Sequence, residues 1–419
     1  AAGPVRSHPL NRDPISSKDI MKNPFDPRAP SFDADAINET IRRALASAGL
    51  DTTTGPMHQV TETIRRALAA RRLANAEPSF GSEPVIDVSA RVVSVGDDDG
   101  NTLPGRTPSI GDAQQWPGRF EAHAFSNDAG TRAYKVYVPE VKSNAPRAMI
   151  VMLHGCTQSA DDFAAGTQMN RLADEHGFLV VYPEQAAHAN ASKCWSWFKP
   201  QDQVRGAGEP SLIAGIVCEV ARNHGADQRR IFVAGLSSGA AMAVVMGETY
   251  PEVFAGVGAH SGLPYGSAHD IPSALAAMKG GRSGMPGLKN VPGAAGAPRR
   301  KAVQPVPVIV FHGDRDHIVQ HTNGAHIVQQ ARDAHDAQAG DAVLRVSSDS
   351  GVAPGGRRFS RAVHADTEGQ VRIESWTLHG AGHAWSGGHA SGSHTDGTGP
   401  DASAEMVRFF MALPRAGTA

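Results

Sequence analysis

Residues 230–239 read Arg230-Ile231-Phe232-Val233-Ala234-Gly235-Leu236-Ser237-Ser238-Gly239, and this stretch decides the fold. A short apolar run ends in G-x-S-x-G, and a helix-forming segment, 239–250, follows. Strand before and helix after is the context in which this motif makes a sharp, strained turn with its serine above the sheet edge. Small flanking residues are needed because strand and helix approach closely there. Ser237 is the candidate nucleophile, and Ser238 its neighbouring competitor. The alternative is a Gly-rich turn with a capping serine.

Working outward, apolar runs at 148–153, 178–182, 231–234, 253–259 and 308–311 suit strands buried on both faces. Helical stretches at 168–176, 211–224, 239–250 and 323–337 alternate with them. That alternation predicts a parallel sheet wound by right-handed crossovers. Segments 120–125 and 132–138 read as an antiparallel pair, 371–378 as a late strand and 402–412 as a closing helix. The expected fold is a three-layer α/β-hydrolase over 118–413. Residues 262–307, rich in Gly and Pro, read as an insertion and a candidate lid or substrate rim.

A serine hydroxyl needs a base, and the base an orienting acid, in the order Ser, acid, His for this fold. Asp316 follows the run 308–311 and is preferred over Asp314, which sits nearer the strand end. His383, flanked by small residues after the last strand, is preferred over His379 as the base. The oxyanion hole needs two amides. Ser238 supplies one and Cys156, in His154-Gly155-Cys156, the other, with His154 read as a structural hydrogen bonder. Trp195, Trp197 and Trp385 read either as an apolar wall for the acyl group or as core packing. Cys218, in an apolar helix, reads as a core residue.

Ahead of this domain the chain divides differently. Residues 1–30 read as a disordered lead, 31–76 as a helical extension and 77–117 as a linker. The extension repeats ETIRRALA at 39–46 and 62–69. Each copy carries an apolar stripe suited to docking on a hydrophobic surface or on the main domain. No signal peptide is visible at the N-terminus, and Met21 offers an alternative start.

Composition narrows the function classes. Forty Lys+Arg against 42 Asp+Glu leave a net charge of −2, with no electrostatic reason for a nucleic-acid or membrane-surface partner. No apolar run is long enough for a transmembrane helix. Histidines 379, 383, 389 and 394 lie in a Gly/Ser loop without metal-ligand spacing, so no metal is expected. No phosphate-cradling glycine loop appears, so no cofactor is expected.

Taken together, LHGCTQSADDFA (153–164), MNRLADEHGFLVVYPEQ (169–185), CWSWF (194–198), VAGLSSGAAMA (233–243), YPEVFAGVGAHSGLPYG (250–266), FHGDRDHIV (311–319) and GAGHAWSGG (380–388) resemble the polyhydroxybutyrate depolymerase family of esterases. That family also contains feruloyl and acetylxylan esterases. The resemblance implies Ser237, Asp316 and His383 as triad, the Cys156 and Ser238 amides as oxyanion hole, and a Cys156–Cys194 disulfide. It implies hydrolysis of poly(3-hydroxybutyrate) or its oligomers. The alternative is a feruloyl, acetylxylan or other small-ester esterase, and in another class a non-catalytic granule-associated protein. The ETIRRALA repeats look similar to extensions on some bacterial members, which makes a polymer granule a candidate partner. The resemblance further implies a form without a separate polymer-binding domain, suited to oligomers, amorphous granules or small esters. The implied disulfide and the family favour an extracellular or periplasmic location. The alternative is cytoplasmic and granule-associated.

Overall fold

A computed structural model describes residues 116–141, 145–281, 305–339 and 343–415. All of them belong to the unit Gly105–Ala419. The expected lead, the helical repeat extension, the linker up to residue 115 and residues 282–304 of the expected insertion lie outside the described residues.

The chain runs β1 (Arg119–Asn127), β2 (Gly130–Val138), β3 (Arg147–Leu153), α1 (Ala160–Thr167), α2 (Met169–His176), β4 (Leu179–Pro183), a 3-10 turn (Pro200–Gln203), α3 (Gly208–His224), β5 (Ala226–Leu236), α4 (Ser238–Thr249) and β6 (Gly256–His260). It continues through α5 (Ile271–Met278), β7 (Val308–Gly313), α6 (Thr322–Ala339), β8 (Arg345–Val352), β9 (Arg358–Ala365), β10 (Val371–Leu378), a small pair β11 (Trp385–Ser386) and β12 (Thr395–Asp396), and α7 (Ala402–Ala412). The ten-stranded sheet has the order β1-β2-β4-β3-β5-β6-β7-β10-β9-β8. Strands β4-β3-β5-β6-β7-β10 are parallel. Antiparallel pairs flank them at both edges.

The apolar runs work as period-two elements with both faces covered. In β3, Met149, Val151 and Leu153 join one core, and Ala148, Ile150 and Met152 join the other. In β5, Ile231 and Val233 face the first core, and Phe232, Ala234 and Leu236 the second. Helices α3, α4 and α5 contribute to the first core, and α1, α2 and α7 to the second. The three-layer α/β-hydrolase architecture follows from this alternation.

Some elements depart from the sequence expectation. The β8–β9 hairpin and helices α1 and α5 were not expected. Strand β8 is nearly all exposed. Its Arg, Ser and Asp residues need no apolar pattern at a sheet edge, and such residues guard an edge against pairing. Helix α5 lies in the segment read as an insertion, started by an Asp270–Ser273 capping box. Cys218 is exposed, not core. It sits on α3 opposite Ile213, Ile216, Val217 and Val220, so the apolar run around it misstates its phase.

Candidate active site

The turn after β5 holds Ser237 at φ 57° and ψ −120°. A non-glycine residue rarely occupies this region, and holding it there costs about 1–3 kcal/mol. Two close approaches maintain it. A Cβ on Gly239 would lie 2.0 Å from the Leu153 carbonyl oxygen, and one on Gly235 would lie 2.5 Å from Gly239. Only glycine lets α4 begin this near β3. The Ser237 amide donates to the His260 carbonyl at 2.9 Å, which ties the turn to the end of β6. Thr157, Lys193 and Ser261 also have positive φ, so strained backbone recurs on the loops around this turn.

Asp316 lies three residues past β7 and is buried. Its Oδ1 accepts from the Ile318 and Val319 amides, each at 2.9 Å. Its Oδ2 meets His383 Nδ1 at 2.7 Å, with His312 Nε2 at 3.5 Å. Burial alone would raise its pKa, but contacts from His312, His383 and the Val319 amide together hold it well below the usual carboxylate range. Asp316 is thus a carboxylate whose Oδ2 faces two imidazoles, with His383 Nδ1 the nearer. His383 is partly exposed, on the loop after β10.

The competing pair also meets. Asp314 Oδ2 lies 3.0 Å from His379 Nδ1, so each acid has its own histidine. The two loops are joined by backbone bonds from Asp314 to the Leu378 carbonyl and from Arg315 to the Ala381 carbonyl.

His260 went unnoticed in the sequence. It is fully buried, its ring stacked between Phe311 at 5.8 Å and Trp385 at 5.2 Å. Its Nε2 accepts from the Ser386 amide at 3.1 Å. Burial first, with His312 and His383 adding to it against the opposing pull of Asp316, pushes its pKa down to about 3. His260 therefore stays neutral and links the Ser237 turn to the His383 loop. Its signal was positional: it ends β6, paired in register with Leu236 and Phe311.

On the other side of Ser237, the loop after β3 carries Cys156. The Gly155 amide donates to Gln158 Oε1 at 2.9 Å, and Gln158 Nε2 donates to Asp162 at 2.8 Å. Asp162 also accepts from the Ser393 amide and hydroxyl, which connects this loop to the chain beyond His383. Among the described residues no acceptor takes the Cys156 or the Ser238 amide hydrogen. His154 is buried, with Nδ1 on the Gly155 carbonyl and Nε2 accepting from the Gln185 amide, so it is a neutral brace. A disulfide joins Cys156 to Cys194. The Cys194 loop is pinned from below: Gln185 Nε2 donates to the Cys194 carbonyl at 3.0 Å, and the Ser196 amide to Glu209 at 2.8 Å.

The tryptophans are core packing. Trp195, Trp197 and Trp385 are 0%, 6% and 1% exposed, which leaves almost no surface for a substrate. Trp195 Nε1 donates to the His154 carbonyl, and Trp385 Nε1 to Ser403 Oγ. Their burial favours the core-packing alternative over the aromatic wall.

Fold and loop arrangement define an α/β-hydrolase, with serine, acid and histidine candidates on the loops after β5, β7 and β10. A family model described as "Esterase PHB depolymerase" matches residues 132–342, and the chain belongs to that family. It is 34% identical over 288 residues to poly(3-hydroxyalkanoate) depolymerase C of Paucimonas lemoignei, covering 65% of this chain and 63% of the relative. It is 40% identical over 141 residues to feruloyl esterase B of Neurospora crassa, covering 33% of this chain and 47% of the relative. The chain thus spans less than two thirds of these curated relatives. The acetyl xylan esterase from Aspergillus awamori superimposes with a TM-score of 0.52 at 19% identity, over 70% of this chain and 99% of that one, a likeness of fold.

Proposed function

We infer that the protein is a serine ester hydrolase acting on poly(3-hydroxybutyrate) or its oligomers through an acyl-enzyme. The observation that carries this reading is the 2.7 Å contact between buried Asp316 and His383 Nδ1. It commits one imidazole nitrogen to the carboxylate and leaves Nε2 for a hydroxyl. The Ser237 turn and the His383 loop are held against each other through His260, which supports Ser237 as that hydroxyl.

In the first half-reaction His383 Nε2 takes the Ser237 proton while Oγ bonds to the ester carbonyl carbon. The Cys156 and Ser238 amides face the oxyanion, and α4 adds its positive N-terminal end. The tetrahedral intermediate collapses, His383 returns the proton to the departing alkoxide, and the alcohol leaves. Water then repeats the sequence on the acyl-enzyme, releases the acid and restores Ser237. Asp316 stays ionised and stabilises the imidazolium formed at each step.

Family membership and the depolymerase relative support the polyester. The feruloyl esterase relative supports a second reading, a small-ester or plant-wall esterase on the same machinery. No helix among the described residues is long and apolar enough to cross a membrane. The disulfide supports an oxidising, extracellular or periplasmic compartment. The ETIRRALA stripes are suited to a polymer surface. The test is release of soluble 3-hydroxybutyrate products from an amorphous polymer suspension, beside methyl ferulate and a short chromogenic ester, for wild type and Ser237→Ala. Polymer turnover lost in the variant supports the depolymerase. Ester turnover without polymer attack moves the substrate to the second reading.

A further inference from the structure

The loops that carry Asp316 and His383 share a second acid–imidazole contact that the proposed reaction does not use. Asp314 Oδ2 lies 3.0 Å from His379 Nδ1, and Asp314 Oδ1 accepts from the Gly380 amide at 2.7 Å. The far nitrogen, His379 Nε2, lies 2.9 Å from Ser360 Oγ on β9. Ser360, His379 and Asp314 thus form a serine–histidine–aspartate chain of their own.

This chain lacks the other requirements of a nucleophilic site. Ser360 is in mid-strand, opposite Thr377 on β10 and Ser350 on β8. It has no tight turn and no helix N-terminus to offer free amides to an oxyanion. In the tautomer that turns Nδ1–H toward the carboxylate, the Ser360 hydroxyl donates to Nε2.

The chain fixes the direction in which the backbone leaves β10. The Leu378 carbonyl accepts from the Asp314 amide at 3.1 Å, and the Ala381 carbonyl from the Arg315 amide at 3.0 Å. The His379 amide donates to the Arg358 carbonyl at 3.0 Å, and Arg357 Nη1 to the His379 carbonyl at 3.1 Å. Residues 378–381 are therefore held on both sides, and His383 follows two residues later. The last side-chain anchor before it is Asp314, which grips an imidazole and a backbone amide at once. A Cβ on Gly313 would lie 2.4 Å from the Ala381 carbonyl oxygen, so the two loops touch along their length.

We propose that Asp314, acting through His379 and the Gly380 amide, is a positioning residue that sets His383 against Asp316. The proposal rests on the reading of Ser237, Asp316 and His383 as the reacting groups. Asp314 touches neither substrate nor reacting atoms. Its effect is geometric, and a displacement of about 1 Å in a catalytic group costs about 100-fold in rate.

The experiment compares Asp314→Ala with Asp314→Asn on a short chromogenic ester. Alanine removes both acceptors. Asparagine keeps Oδ1 for the Gly380 amide, and its Nδ2–H can donate to His379 in the other tautomer. The expected result is a kcat lowered about 10- to 100-fold in Asp314→Ala with KM unchanged, and most of it restored in Asp314→Asn. The downfield Nδ1 proton of His383, read by NMR without substrate, stays sharp in wild type and Asp314→Asn and is lost to exchange in Asp314→Ala. A wild-type kcat and resonance in Asp314→Ala, or equal losses in both variants, would overturn the proposal. Should Asp314→Ala fail to fold, His379→Ala against His379→Asn carries the same comparison, because the asparagine Nδ2 replaces the lost Nδ1 donor. Should wild type turn over no ester, the reading of Ser237 fails, while the His383 resonance still decides the role of Asp314.

Discussion

His383 Nδ1 and Asp316 Oδ2 meet at 2.7 Å, although 67 residues separate them in the chain. The contact depends on β7 and β10 lying side by side and parallel, which delivers both loops to the same sheet edge. Replacing the carboxylate removes the group that selects the imidazole tautomer. Asp316→Asn is expected to lower kcat on a short ester by about 10³- to 10⁴-fold, with KM little changed. Steady-state kinetics on the purified variant checks this, and a loss below tenfold would remove Asp316 from the assigned role.

Acid stability follows from His260. Its folded pKa of about 3 lies below the unfolded value of about 6.5, so between those values unfolding takes up a proton. The stability it contributes is complete above about pH 6.5 and falls by about 1.4 kcal/mol per pH unit toward pH 3. Asp316 acts lower, where its depressed pKa means that stability present above about pH 4 is lost as the carboxylate protonates. His260→Gln keeps an acceptor for the Ser386 amide and removes the titration. Thermal melts at pH 7 and pH 5 should show a shallower drop in Tm for this variant. Equal drops would mean that the His260 ring does not govern this window.

The Cys156–Cys194 bond closes a loop of 38 residues, which the chain-entropy model values at about 4 kcal/mol. Cys156 also carries one of the two proposed oxyanion amides. Replacing both cysteines by serine is expected to lower Tm and to reduce kcat more than KM. Kinetics that match wild type after the double replacement, with only Tm lowered, would separate the disulfide from the oxyanion loop.

Phe232 stacks on Phe410 at 4.7 Å with the rings nearly parallel, and both are buried. Phe232→Ala is expected to cost about 3–5 kcal/mol in denaturant unfolding. Gly239→Ala places a methyl against the Leu153 carbonyl and is expected to prevent soluble expression. A folded Gly239→Ala with wild-type activity would contradict the close approach of α4 to β3.

What the sequence made legible follows the same physics. Buried parallel strands need apolar residues on both faces, so β3, β4, β5 and β7 stand out as short apolar runs between turns. The edge hairpin β8–β9 has no such need, and its Arg, Ser and Asp residues hide it. Asp316 and Asp314 are harder to tell apart in the sequence, and each meets a histidine: Asp316 contacts His383, and the acid nearer the strand end contacts His379. His260 stayed hidden because its role lies in cross-strand register and ring stacking, which no local pattern records. The three tryptophans were ambiguous for a related reason: a residue beside a motif can face the cleft or the core, and only packing decides. Cys218 shows the limit of hydropathy on a helix whose flanking residues are apolar nearly all round.

Ser237 as a nucleophile activated by His383 can be tested directly. Incubation with a serine-directed phosphonate, followed by peptide mass mapping, tests it without reference to substrate. The expected result is one phosphonyl group per chain, on Ser237, with labelling abolished in Ser237→Ala and slowed by orders of magnitude in His383→Ala. Unlabelled wild type, or a label on Ser238 or Ser360, would contradict it.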